Sequence, residues 1–170
     1  ATRNADFDQL YRLTKARVDT ALTYGVTTME IKSGYGLDFS TEKKQLQVVE
    51  KLNENHPVDL VATYMGAHAT PKGYDTDKYV DLIVKEILPQ IKKDTKAEFC
   101  DCFCEKDVFD VRQCRKILQR AKETGLKTKV HADEIESIGG VDLACETGAT
   151  STEHLLKITD DGISKLAQSN

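Results

Sequence analysis

The chain has 170 residues, the length of one domain, and its 39% hydrophobic and 31% charged residues supply a core and exclude disorder. A formal net charge of -4, with the basic residues scattered, excludes a nucleic-acid footprint, and no apolar run has membrane-spanning length. Five cysteines, an odd number, with no secretory pattern at Ala1, read as reduced thiols in a cytoplasmic compartment.

Phe7, Leu10, Tyr11, Val18, Ala21 and Leu22 recur at helical spacing, with Asp6 and Gln9 as a capping pair and Gly25 as the stop. Val26 to Ile31, rich in β-branched residues, predicts a strand that runs into Ser33-Gly34-Tyr35-Gly36, where two glycines permit a sharp turn. Ser40 is placed to cap a helix carrying Leu46, Val49 and Leu52, closed by His56-Pro57. Val58 to Tyr64 predicts the next strand, ending in a loop that holds His68. A helix from about Asp77 carries Val80, Ile83, Val84, Ile87 and Leu88 until Pro89 ends or kinks it. Ala97 to Phe103 predicts a third strand, and Val111, Cys114, Ile117, Leu118 and Ala121 mark the helix that Gly125 stops. Leu126 to Val130 is a fourth strand, delivering His131-Ala132-Asp133-Glu134. A short helix (141–147) follows Gly139-Gly140, and a fifth strand-like run, Ala149 to Glu153, delivers His154.

Strand alternating with helix means parallel βαβ units, which suit either an open doubly wound sheet or part of a (β/α)₈ barrel. A dinucleotide glycine fingerprint and a phosphate P-loop are both missing. Tyr35, His68, His131 and His154 each follow a strand-like run and so share one face, which favours the barrel. A whole barrel needs at least about 200 residues. The expectation is therefore an α/β chain forming a segment of a (β/α)₈ TIM barrel, about five strand–helix units. Residues 1–170 would be a single partial catalytic domain lacking N- and C-terminal portions.

At a strand end, His131 can offer a neutral imidazole nitrogen to a divalent metal, and Glu134 can curl over the same mouth as a carboxylate acid/base. Asp133 either orients the imidazole or caps the next helix. The plainer alternative is a hydrogen-bonded histidine beside two solvated carboxylates. Cys100, Cys102 and Cys104 share one strand face, as small buried residues rather than as a zinc site, which prefers Cys-x-x-Cys spacing. Glu105 is either a solvated loop acid or a side chain acting from behind the site. His56 has a helix-end role, and Tyr64, Tyr74 and Tyr79 read as buried.

Four stretches in order, Glu30-Ile31-Lys32-Ser33-Gly34-Tyr35-Gly36-Leu37, Gly66-Ala67-His68-Ala69, His131-Ala132-Asp133-Glu134 and Thr152-Glu153-His154-Leu155, resemble the imidazolonepropionase family of the amidohydrolase superfamily. The resemblance implies a (β/α)₈ barrel with one divalent metal, zinc or iron. It implies hydrolysis of the ring amide of 4-imidazolone-5-propanoate to N-formimino-L-glutamate, in histidine degradation. By motif, His131 is implied as a metal ligand, and Glu134 as the carboxylate that contacts substrate and carries protons. His154 is implied as the histidine that activates water or stabilises the oxyanion, and Tyr35 and His68 as substrate-binding groups. The superfamily's His-x-His pair, its late aspartate and the family's substrate arginine have no matching motif here. The implied partner is the small-molecule substrate, in a homo-oligomer without nucleic acid or membrane. Another amidohydrolase acting on a purine-like ring, or a binding module without catalysis, stays open beside it.

Overall fold

The computed structural model describes residues 1–169. Its strands are β1 (Thr28–Lys32), β2 (Asp59–Ala67), β3 (Phe99–Cys104), β4 (Lys127–Ala132) and β5 (Ser151–His154). All pair in parallel, and they lie side by side in chain order. The helices are α1 (Phe7–Thr23), α2 (Phe39–Asn53), α3 (Thr76–Leu82), α4 (Leu88–Asp94), α5 (Val111–Glu123), α6 (Gly140–Thr147) and α7 (Asp160–Gln168), and the last of these carries no reading in the sequence analysis. A doubly wound sheet reverses its strand order at a switch point. None occurs here, so the sheet is a segment of a (β/α)₈ barrel.

The sheet is strongly curled. Strands lie about 4.8 Å apart, so in a flat sheet the first and fifth would be separated by roughly 19 Å. Yet Lys32 Nζ on β1 is 2.8 Å from Glu153 Oε2 on β5, and Lys129 Nζ on β4 is 3.0 Å from Glu30 Oε2 on β1. Such pairs form only across a concave surface.

Alternation along each strand separates two environments. Tyr64 on β2, Cys100, Cys102 and Cys104 on β3, and Val130 and Ala132 on β4 belong to the core built with Leu46, Leu52, Ile83, Ile117 and Leu118 of the helical layer. Glu30, Lys32, Thr63, Asp101, Lys129, His131 and Glu153 interact across the concave side instead. All five thiols are free. Contact with Cys114 works against burial at Cys102, but the balance pushes that thiol up to about 11. Cys100, Cys102 and Cys104 are fully buried in that core, the packing role expected of the three strand thiols.

Several local expectations change. Helix α2 is capped by Asp38, not Ser40: extended backbone at Asp38 lets its carboxylate accept from Thr41 N at 2.8 Å. Pro89 does not end its helix. A π-turn over Ile83–Ile87 precedes it, and α4 continues to Asp94. Proline lacks an N–H and crowds the carbonyl four residues back, and a widened turn accommodates both. Tyr64 and Tyr79 are buried as expected, whereas Tyr74 is 55% exposed, its ring edge-on to Tyr79. His56 ties two elements together, its Nε2 3.0 Å from Asp19 on α1 and its Nδ1 accepting from Val58 N at 3.1 Å. Among the described residues no helix is long and apolar enough to cross a membrane.

Candidate active site

His131 lies within β4, in register with Phe103 on β3 and Glu153 on β5, because strand pairing continues to Ala132. Its Nδ1 is 3.1 Å from Asp101 Oδ1 and 3.2 Å from Glu153 Oε2. Two carboxylates facing one nitrogen require a donor there, so Nδ1 carries a proton. Burial pushes the Asp101 carboxyl up, but His131 and Lys32 outweigh it and hold Asp101 below the ordinary aspartate range. Asp133, expected to orient this imidazole or cap a helix, does neither. It is buried with φ +52°, and its Oδ2 accepts from Ser137 Oγ, while Gly139 occupies the α6 cap position.

Asp101, His131 and Glu153 present donor atoms within 4.8 Å of one another, a spacing a cation could use. Lys32 Nζ already lies 2.7 Å from Asp101 and 2.8 Å from Glu153, so an ammonium group satisfies those carboxylates. The donor left for a metal is His131 Nε2, and an imidazole whose other nitrogen is held by carboxylates suits a metal ligand.

Around His131 the strand ends bring the other sequence candidates together. The His154 ring is 4.9 Å from the His131 ring, and His154 Nε2 is 3.5 Å from Glu134 Oε2. A left-handed turn, φ +74° at His154 and +59° at Leu155, folds the chain back at the end of β5. His68 follows β2 directly and places Nδ1 3.1 Å from the Gly34 carbonyl, which accepts a hydrogen bond from it. The Tyr35 ring stands edge-on to His68 at 5.4 Å and is 67% exposed. Phe103, read in the sequence only as the end of a strand, lies at the centre: its ring is 6.2 Å from His68, 6.0 Å from His131 and 6.4 Å from His154.

The other residues that sequence reasoning missed are Asp101, Lys32, Glu153 and Glu42. A charged residue between two cysteines of an apolar strand, and the Glu30-x-Lys32 alternation, were the available signals. Glu105 is not the solvated acid that one reading allowed. It is 1% exposed, and its carboxylate accepts backbone N–H bonds from Glu134, Ile135 and Glu136, while Glu42 does the same for Gly34, Gly36 and Leu37.

No family model matches the chain. Imidazolonepropionase of Streptococcus pyogenes serotype M49 (strain NZ131) is 56% identical over 168 residues, 98% of this chain. The chain is homologous to imidazolonepropionases. It spans 40% of that relative's length, and 55% of the imidazolonepropionase of Streptococcus gordonii, which is 55% identical over 170 residues. The solved structure of Arabidopsis ADAL complexed with IMP superposes with a TM-score of 0.68, covering 96% of this chain and 50% of that one. At 15% identity that likeness is one of fold. The four stretches that resemble imidazolonepropionase thus lie at neighbouring strand ends, around one concave mouth.

Proposed function

We propose that residues 1–170 are a single partial catalytic domain of a metal-dependent imidazolonepropionase. The reaction is hydrolysis of the ring amide of 4-imidazolone-5-propanoate to N-formimino-L-glutamate. The observation that carries this reading is the meeting of Glu134 and His154, 3.5 Å apart, beside the imidazole of His131. His131 would hold a divalent zinc or iron ion through Nε2. When bound, that ion supplies Lewis acidity, polarising a carbonyl and making water more acidic.

The chain's own side chains account for the rest. Glu134 accepts the proton of the attacking water and passes it to the ring nitrogen as the C–N bond breaks, so water adds across that bond. His154 donates to the carbonyl oxygen as negative charge grows. Phe103 and His68 wall the site with ring faces and edges that suit a flat heterocycle. The Tyr35 hydroxyl is a donor suited to the propionate group, and so is the His68 imidazole in its cationic form. Five free thiols fit a reducing cytoplasmic compartment, and exposed strand edges fit a homo-oligomer.

The test is hydrolysis of 4-imidazolone-5-propanoate by the protein at the full length of its relatives, followed by mass spectrometry in ¹⁸O-labelled water. Expected is one heavy oxygen in the new carboxylate of the product. Ammonia release from a purine-like ring, without ring opening of the imidazolone, would overturn this reading in favour of an aminohydrolase.

A further inference from the structure

Loops usually leave backbone N–H groups to water, yet two loops of this site each turn three N–H groups inward. At the end of β1, Glu42 Oε2 accepts from Gly34 N at 2.5 Å, and Oε1 accepts from Gly36 N at 2.7 Å and Leu37 N at 2.8 Å. Glu42 itself is 1% exposed, in the first turn of α2. The loop can approach so closely only because of its glycines. Gly34 sits at φ +107°, where a Cβ would lie 2.5 Å from the Met65 carbonyl oxygen, and a Cβ at Gly36 would collide with Thr41. Tyr35, between them, is the side chain the loop turns out to solvent.

The second loop repeats the device. Beyond β3, Glu105 Oε2 accepts from Glu134 N at 3.2 Å and Ile135 N at 2.9 Å. Its Oε1 accepts from Glu136 N at 3.1 Å and Lys106 N at 2.8 Å. An ionised carboxylate can accept several bonds at once, each strengthened by its charge. Glutamine could not replace it, because its amide nitrogen would face backbone donors. Burial pushes the Glu105 carboxyl up, but the four N–H groups prevail and keep it below the ordinary glutamate range.

We propose that Glu42 and Glu105 are paired positioning residues, each gripping one wall of the site from behind: Glu42 the loop that presents Tyr35, Glu105 the loop that presents Glu134. Neither faces the mouth, so each acts through another residue. The kinetic part of this inference rests on the proposed hydrolase, whereas the grip itself does not. The two grips serve different tasks, so their loss separates. A loosened Tyr35 loop weakens binding common to substrate and transition state, which appears in KM. A displaced Glu134 misplaces the proton carrier, and a shift of about 1 Å can cost about 10²-fold in rate.

Amide hydrogen exchange on the protein at its relatives' full length tests the grip. The amides of Gly34, Gly36, Leu37, Glu134, Ile135 and Glu136 should exchange slowly. Glu42→Gln should speed the first three by about ten- to hundredfold and spare the others, and Glu105→Gln should do the reverse. Unprotected exchange at these amides in the unaltered protein overturns the proposal, even if neither variant folds. In the protein at its relatives' full length, Glu42→Gln should raise KM about tenfold with kcat changed less than about twofold, and Glu105→Gln should lower kcat about 10²-fold at similar KM. Equal loss of both parameters in both variants would overturn the division of roles. The expected exchange pattern in a protein without imidazolone turnover would support the grip and count against the hydrolase reading.

Discussion

At the residue scale, the site depends on how charges are shared across the concave face. Lys32 stands between Glu30, Asp101 and Glu153, at 3.2, 2.7 and 2.8 Å, and Lys129 stands 3.0 Å from Glu30. Glu30 is pushed up by burial but held below the ordinary glutamate range by Thr63, Lys129 and Lys32, and Lys32 is raised by Asp101 and Glu153 against its own burial. A lowered carboxyl contributes stability that is full above its ordinary value, near about 4, and is lost as pH falls through the lowered value. A raised lysine contributes stability that is full below about 10.4 and is lost as pH climbs through its raised value. Denaturant midpoints should therefore stay level between about pH 5 and about pH 8, above which the buried thiols ionise more readily in the unfolded chain, and fall on both sides. Asp101→Asn should lower stability at neutral pH by about 1–3 kcal/mol and flatten the acid limb, read by urea titration near pH 3 and pH 7. An unchanged acid limb would show that Asp101 is not ionised against Lys32. Glu134→Gln keeps shape but carries no proton, so kcat at full length should fall by about 10²–10⁴-fold with metal content unchanged. Near-normal turnover would leave Glu134 a partly exposed loop acid.

At the element scale, helix α5 holds β3 and β4 in place. Its capping box, Asp110 with Gln113, starts the helix, and Ile117, Leu118 and Ala121 form its fully buried stripe. Ile117→Ala should cost about 2–5 kcal/mol, because the rigid sheet cannot collapse into the gap. A loss below about 1 kcal/mol would mean the helical layer can repack. These elements were legible because their signals are local: a 3.6-residue stripe, an aspartate three residues before its bonded N–H, and β-branched runs ended by glycine. Boundaries were less so. The sequence reading stops strand 4 at Val130, but pairing carries it to Ala132, since ladder bonds to β3 and β5 extend it. Pro89 misled for a related reason, as the π-turn that absorbs it has no composition of its own.

At the scale of the whole molecule, the sheet is open among the described residues, with β1 at one edge and β5 at the other. Unpaired edges present rows of N–H and C=O groups, so the 170-residue chain by itself should self-associate. With one imidazole as its available donor, it should also hold a divalent ion weakly. Light scattering and elemental analysis after dialysis would check both. A monodisperse monomer carrying one metal per chain would refute the expectation. By itself the sequence determined the alternation of strand and helix and the strand-end placement of Tyr35, His68, His131 and His154, because these follow from periodicity and from motifs a few residues long. Only the tertiary structure decided that Lys32 would meet Asp101, 69 residues on, and Glu153, 121 residues on. The same holds for buried glutamates reaching back under the loops of Tyr35 and Glu134. Such partners are chosen by the curl of the sheet, which brings distant strands within a few ångströms, and no local pattern encodes that curvature.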